Sequence, residues 1–224
     1  MYFLKCMAFG LIGLQLYFVV QIGLWAFMNP GSTAFQRAER WRLCHWSLSC
    51  PIQHRWVPYE QISHDLKRAI LVSEDDIFFK HSGVRVEDMQ KAWERNQKGG
   101  SKVVRGGSTI TQQLAKNLFL SSEKNYLRKA QELVITGLLE LMLSKQRMFE
   151  IYMNSVEWGE GIFGAEAAAQ HYFQKPAAQL TPWEAGRLAV MLPRPKHYQK
   201  FPQSDYLAGR TEIIVMRMGS AQLP

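Results

Sequence analysis

The longest unbroken apolar stretch lies at the start of the chain. From Met7 to Met28 it runs 22 residues without a charge, enough for a helix to cross a hydrocarbon core, which takes about 20 residues. Gln15 and Gln21 are its only strongly polar side chains, and Tyr2, Phe3, Trp25 and Phe27 crowd its ends, as interfacial anchors do. A cleaved signal peptide would have a shorter apolar region and a small-x-small cleavage site. Neither is evident, so residues 7–28 read as an uncleaved transmembrane anchor. The texture then changes. Residues 29–56 open on Asn29-Pro30-Gly31-Ser32 and read as an irregular stalk.

From residue 57 to 224 the apolar positions recur mostly at helical spacing. Leu66, Ala69, Ile70 and Ser73 form one stripe, predicting a helix that starts near Ser63 and ends at Glu74-Asp75-Asp76. Val86, Met89, Ala92 and Trp93 repeat the pattern before a basic, glycine-rich segment, 98–107. Thr109 with Gln112 forms a capping box and opens a helix to Phe119. Two more helices are expected over Leu127–Met142 and Lys145–Met153, with Asn154 at the end of the second. A glycine-rich turn (Gly159, Gly161, Gly164) leads into the run AEAAAQHYF. Thr181-Pro182-Trp183-Glu184 supplies a cap, a proline at the first helical position and a glutamate at the third. A last helix runs from about Asp205 to Met218. No segment sustains strand alternation and no internal repeat is present, so the soluble part is mainly α.

Charge narrows the function. Lys and Arg number 27 against 19 acidic residues, a net charge of +8. Such an excess suits nucleic acid, acidic head groups or a phosphorylated substrate, and is also compatible with solubility alone. It is not evenly spread: between Lys91 and Arg147 there are eleven basic residues and four acidic ones. Orientation in a membrane is not legible from charge, because only Lys5 precedes the apolar span while Arg37, Arg40 and Arg42 follow it. Cys44 and Cys50 lie six apart and favour a small disulfide loop over free thiols. The spacing of His45 and His54 around them fits no familiar zinc pattern.

Three clusters carry candidate chemistry. Glu74-Asp75-Asp76 places three acids at a helix C-terminus, the end the helix dipole makes negative. Mutual repulsion there would raise the pKa of at least one; the plain alternative is a solvated acidic loop. Gly106-Gly107-Ser108-Thr109 precedes a capped helix and leaves backbone N–H groups open to an anion. Arg128, Lys129 and Glu132 share a helical face at i, i+3 and i, i+4, where a surface pair contributes only a few tenths of a kcal/mol.

Taken in order, these clusters resemble a known family. Glu74-Asp75-x-x-Phe78-x-x-His81-x-Gly83 comes first, then Gly106-Gly107-Ser108-Thr109-Ile110-Thr111-Gln112-Gln113-Leu114-x-Lys116-Asn117. Arg128-Lys129-x-x-Glu132, Lys145-x-x-x-x-Glu150-x-Tyr152-x-Asn154 and Gly161-Ile162-Phe163-Gly164 follow. The set is similar to the five motifs of peptidoglycan glycosyltransferases, the transglycosylase domain shared with bifunctional penicillin-binding proteins. The likeness spans about Val57 to Tyr198, and the chain resembles the monofunctional biosynthetic form. Asp76 and Met153 depart mildly from the family pattern.

The resemblance implies a lysozyme-like helical fold with a small membrane-contacting jaw lobe, expected at Val86–Val104. It implies a substrate, lipid II, and a growing lipid-linked glycan strand as donor, with the membrane and other cell-wall synthases as partners and no nucleic acid. The catalytic domain would stand on the periplasmic side of a bacterial inner membrane, on a single-pass anchor. Glu74 would be the general base, and Glu132, the second catalytic residue, would orient Lys129 or Arg128 or help hold a divalent ion rather than act as a second base. Asp75, His81, Ser108, Gln112, Gln113, Lys116, Asn117, Lys124, Arg128 and Lys129 would bind substrate. No cofactor is required; Mg²⁺ or Mn²⁺ is compatible with the cluster, and no metal ligands can be named.

Overall fold

A computed structural model describes residues 2–44, 52–85, 90, 107–123 and 125–224. The expected jaw at Val86–Val104, Gly106 and Lys124 therefore lie outside the described residues, apart from Gln90. Within them the protein is mainly α, as the periodicity predicts. A long helix, α1 (Tyr2–Trp25), carries the apolar span, of which Lys5–Trp25 is long and apolar enough to cross a membrane. Over its second half α1 is docked: Phe18, Ile22 and Trp25 are buried at helical spacing, and Phe119 packs against Phe18 and stacks on Trp25. Arg147 closes its end, donating to the carbonyl oxygens of Trp25 and Met28 and to Asn29 Oδ1.

The stretch expected to be an irregular stalk holds a helix, α2 (Ala34–Cys44). Thr33 and Gln36 cap its start reciprocally, Thr33 N donating to Gln36 Oε1 at 2.8 Å and Gln36 N to Thr33 Oγ1 at 3.1 Å. Its buried polar face is held by charge rather than by apolar packing. Glu39 accepts from Arg42 and from Lys196, 2.8 Å away, and Arg42 also reaches Glu160. These cations outweigh burial and bring the Glu39 carboxyl down to about 2. Cys44 is disulfide-bonded, whereas Cys6 is a free, exposed thiol.

The helices after α2 frame the site: α3 (His64–Glu74), α4 (Ile110–Phe119), α5 (Tyr126–Met142) and α6 (Lys145–Ser155). Each begins at a side-chain cap, from Ser63, Thr109, Asn125 and Ser144 respectively. Further on come α7 (Ala165–Phe173), α8 (Pro182–Met191), α9 (Pro195–Lys200) and α10 (Asp205–Arg217). α3 packs on α8, and α8 on α10. α4 packs on α2, α5 and α6, and α1 lies along α5. The core includes Leu66, Ile70, Phe78, Leu114, Phe149, Tyr152 and Trp158, all fully buried.

The described residues also hold three strands too short for periodicity to reveal, β1 (Gln53–His54), β2 (Glu157–Gly159) and β3 (Ile162–Phe163), in the order β1-β3-β2. β1 runs parallel to β3, with Gln53 opposite Ile162. The turn after β3 depends on Gly164, whose φ is +86°. A Cβ there would lie 2.7 Å from the Asn154 carbonyl oxygen. Asn154 itself is buried and holds the incoming chain: its amide exchanges hydrogen bonds with Val57 N and O, both at 2.9 Å.

Candidate active site

Glu74 is the last residue of α3, half-buried at the junction of α3, α4 and α6. Gln113, on α4, donates from Nε2 to Glu74 Oε2 at 2.8 Å, and Ser73 Oγ donates to Oε1 at 3.3 Å. The orientation of that amide is set from behind. Tyr152, fully buried on α6, donates its hydroxyl to Gln113 Oε1 at 2.9 Å, which turns Nε2 toward the carboxylate. Burial, with Glu74 and Asp75 nearby, pushes the Tyr152 hydroxyl well above its ordinary range, so it keeps its proton.

The Glu74 carboxyl is pushed above the usual glutamate value. Burial is the largest cause, the bonds from Gln113 and Ser73 oppose it, Asp75 adds a further rise, and Lys116 draws it down. The sequence suggested repulsion within the acidic run. The structure makes withdrawal from water the main cause and Asp75 a lesser one.

Asp75 and His81 do a different job. Asp75 is buried and accepts from Ile110 N at 3.1 Å, so the residue after Glu74 satisfies an orphan N–H at the start of α4. His81 accepts from Gly83 N on Nδ1 at 3.0 Å and donates from Nε2 to Asp75 at 2.8 Å. Arg85 pairs with Asp75 and Asp76. Gly83 in turn accepts from Thr109 Oγ1 at 2.6 Å. Its φ is +82°, and a Cβ would sit 2.8 Å from the Glu140 side chain. The first two motifs are thus stitched to each other, which fixes Glu74 relative to α4. Gln112 is buried within the capping box, its Oε1 accepting from Thr109 N.

The cations lie on the neighbouring helices. Lys116, one helical turn beyond Gln113, has its ammonium 5.4 Å from the Phe35 ring centroid and no ion pair among the described residues. Its pKa is lowered, by burial first; Glu132 and Glu74 oppose the drop, while Arg128 and Lys129 add to it. On α5, Glu132 is buried, not a surface residue, and is bracketed by two cations: Arg128 Nη1 lies 2.7 Å from Oε2, and Lys129 Nζ bonds Oε1. Arg128 Nε is buried and makes no hydrogen bond among the described residues. Ser108 is half-buried just before α4, with its carbonyl 3.5 Å from Gln113 Nε2, and Asn117 is buried on α4.

Among the described residues no group of three or more His, Cys, Asp and Glu side chains is placed to hold a metal ion. Both Glu132 oxygens are occupied by cations of the protein itself.

A family model described as transglycosylase matches residues 46–219. The chain belongs to that family. Its assignment as an enzyme of peptidoglycan glycosyl transfer, expected from the motifs, holds at the level of the family. A protein of Cupriavidus metallidurans named biosynthetic peptidoglycan transglycosylase is 55% identical over the whole chain and 97% of its own length. A relative of the same name from Ralstonia nicotianae is 57% identical, again over the whole chain and 97% of its length. One from Burkholderia thailandensis is 55% identical over 94% of the chain and 82% of its own length. In this transglycosylase domain residues of the first four motifs are linked around Glu74, through Gln113, Tyr152, Asp75 and Lys116, while Gly164 of the fifth packs against Asn154; Gly106 and Lys124 lie outside the described residues. Sequence reasoning left Tyr152 out of the candidate site, although it stands inside the fourth motif. Its partner Gln113 is 39 residues away, and no local pattern links them.

Proposed function

We propose that the enzyme polymerises lipid II into β-1,4-linked glycan strands, inverting the donor anomeric carbon and releasing undecaprenyl pyrophosphate. One observation carries the reading: Glu74, a carboxylate of raised pKa held by Gln113, lies within electrostatic reach of Lys116, which in turn neighbours Arg128 and Lys129, and Arg128 Nε is a buried donor with no hydrogen bond among the described residues. Glu74 takes the proton from the acceptor's 4-hydroxyl as that oxygen attacks the donor's anomeric carbon. The bond from that carbon to the pyrophosphate oxygen breaks on the opposite face. A raised pKa suits this role, because a base works best with a pKa near the working pH.

The leaving group determines what else is needed. A glycosidase expels an alkoxide and uses a carboxylic acid to protonate it. Pyrophosphate leaves as a stable anion and needs its charge met by cations and oriented N–H groups. Lys116, Arg128 and Lys129 meet it here, with Ser108, Asn117 and Lys124 expected at its edges. Glu132 holds Arg128 and Lys129 in place; ion-paired on both oxygens, it is not a second base. Asp75, His81 and Gln112 serve by fixing the frame rather than by touching substrate, since their hydrogen bonds run inward. No step depends on Mg²⁺ or Mn²⁺. In this reading the domain stands on the periplasmic face, where glycan strands are assembled, with α1 as its anchor.

The rival is a lytic muramidase, which cuts strands and has no pyrophosphate to hold. Detergent-solubilised full-length protein incubated with labelled lipid II should give polymer, and Glu74→Gln should give none. Absence of polymer from the wild type, or undiminished polymer from the variant, overturns the proposal. Soluble fragments from labelled cell-wall sacculi would select the muramidase.

A further inference from the structure

α2 brings an aromatic ring to the cationic side of the site. Phe35 stands half-buried in its first turn, and the Lys116 ammonium lies over its ring, 5.4 Å from the centroid. That is within the reach of a cation–π attraction, about 6 Å. The ring's place is fixed from both directions along the chain. Before it, Arg147 grips Met28 and Asn29, and Thr33 with Gln36 caps the helix start. After it, Glu39 is held by Arg42 and by Lys196, which also reaches Glu157 at 3.1 Å. α2 itself packs on α4, the helix that carries Lys116.

What the ring does follows from what else surrounds the ammonium. α5 faces it with Glu132, Arg128 and Lys129, and α3 with Glu74. Neither carboxylate is free for it. Glu132 is closed by two cations, and Glu74 is held by Gln113 and Ser73. The charges of α6 are closed on others, Lys145 on Glu140 and Arg147 on Glu150, and Tyr152 keeps its proton. On α2, Arg37 donates to Ser32 and Glu39 is paired with Arg42 and Lys196. Among the described residues the Lys116 ammonium makes no hydrogen bond or ion pair, while burial and two like charges act against it. The Phe35 ring is the direct contact that favours its charged form. A carboxylate in that place would cancel the charge. A ring attracts the cation through its quadrupole and adds no charge of its own.

We propose that Phe35 is a positioning residue for the transfer reaction: its ring holds the Lys116 ammonium in place and keeps it charged, without neutralising it, for the anionic leaving group. The proposal rests on Lys116 meeting that group's charge, as in the reaction proposed for this site. It also makes α2, outside the five motifs, a wall of the site.

Full-length protein in detergent is compared as wild type, Phe35→Leu and Phe35→Tyr, each checked by thermal melting. Labelled lipid II gives kcat/KM from neutral to alkaline pH. Competitive acetylation read by peptide mass spectrometry titrates Lys116 without turnover, with Lys129, held by Glu132, as internal control. Leucine keeps an apolar neighbour and drops the attraction, so the Lys116 pKa, already lowered, should fall further. The Lys116 titration and the alkaline limb should both move down by about half a pH unit, about a threefold loss on that limb. Lys129 should not move, and Phe35→Tyr, which keeps the ring, should restore most of the loss. A Phe35→Leu protein with the wild-type titration and limb, or a Phe35→Tyr protein that shifts as far, overturns the proposal and leaves Phe35 an apolar packing residue. If Phe35→Leu melts too low to assay, fluorinated phenylalanines at position 35 weaken the ring's attraction at nearly constant shape. Their titrations must then fall in step with fluorination, and a flat series refutes the proposal. Wild-type protein that makes no polymer sinks the polymerase reading instead, and the acetylation series still decides whether the ring supports the charged lysine.

Discussion

Tyr152→Phe removes one oxygen and tests whether the Tyr152–Gln113–Glu74 chain governs the proposed base. The hydroxyl is fully buried and donates to Gln113 Oε1 at 2.9 Å, which leaves Nε2 to donate to Glu74 at 2.8 Å. Without it, Gln113 Oε1 loses its donor in a buried setting, at a cost of about 1–3 kcal/mol in stability. The catalytic effect is separate. The amide is free to turn, and the hydrogen bond that favours ionised Glu74 weakens by about 1 kcal/mol. A loss of that size lowers kcat/KM about fivefold. The sign for pH follows from the cause. Gln113 holds the Glu74 pKa down against burial, so weakening its bond lets the pKa rise further. The acid limb of the pH–rate profile then moves to higher pH. Labelled lipid II polymerisation followed from mildly acid to alkaline pH, beside a thermal melt, reads both effects. A variant that melts lower but keeps the wild-type kcat/KM and acid limb refutes the coupling and leaves Tyr152 a packing residue.

Glu74→Gln should abolish polymerisation yet raise the melting temperature at neutral pH. The folded-state pKa of Glu74 is raised, so its stability contribution is present at low pH and lost as pH rises through that value. The gain from the amide should therefore shrink as the solution is acidified toward the ordinary glutamate range. A lower melting temperature for the variant at pH 7 contradicts this. Gly164→Ala forces a Cβ against the Asn154 carbonyl at a φ of +86°. It should cost about 2–4 kcal/mol, seen as a melting temperature lower by about 5–15 °C; an unchanged melt would show that the turn rearranges freely.

What the sequence revealed depends on how local each cause is. α3, α4 and α8 could be read because Ser63, Thr109 with Gln112, and Thr181 with Glu184 mark their starts within three residues. α2 carries the same signal in Thr33 and Gln36. It was masked by a polar stripe whose burial makes sense only with Lys196 and Glu160, more than a hundred residues away. The strands, two or three residues long, are too short to show a period of two. In the site, Glu74, Gln113, Lys116, Arg128 and Lys129 stood out in ordered motifs. That Asp75 completes the start of α4, 35 residues on, and that Tyr152 sets the Gln113 amide, are facts of three-dimensional contact with no local trace. The same holds for Glu132, which looked like half of a surface pair and is a buried anion between two cations.

Arg147 gives the anchor a mechanical meaning. By gripping the carbonyls of Trp25 and Met28 and the side chain of Asn29, it makes the proposed anchor a stiff stem instead of a tether. A tethered domain sweeps a hemisphere and meets its substrate at changing heights. A stemmed one keeps its cleft at a constant depth relative to the lipid, and the search for substrate reduces to lateral diffusion in two dimensions.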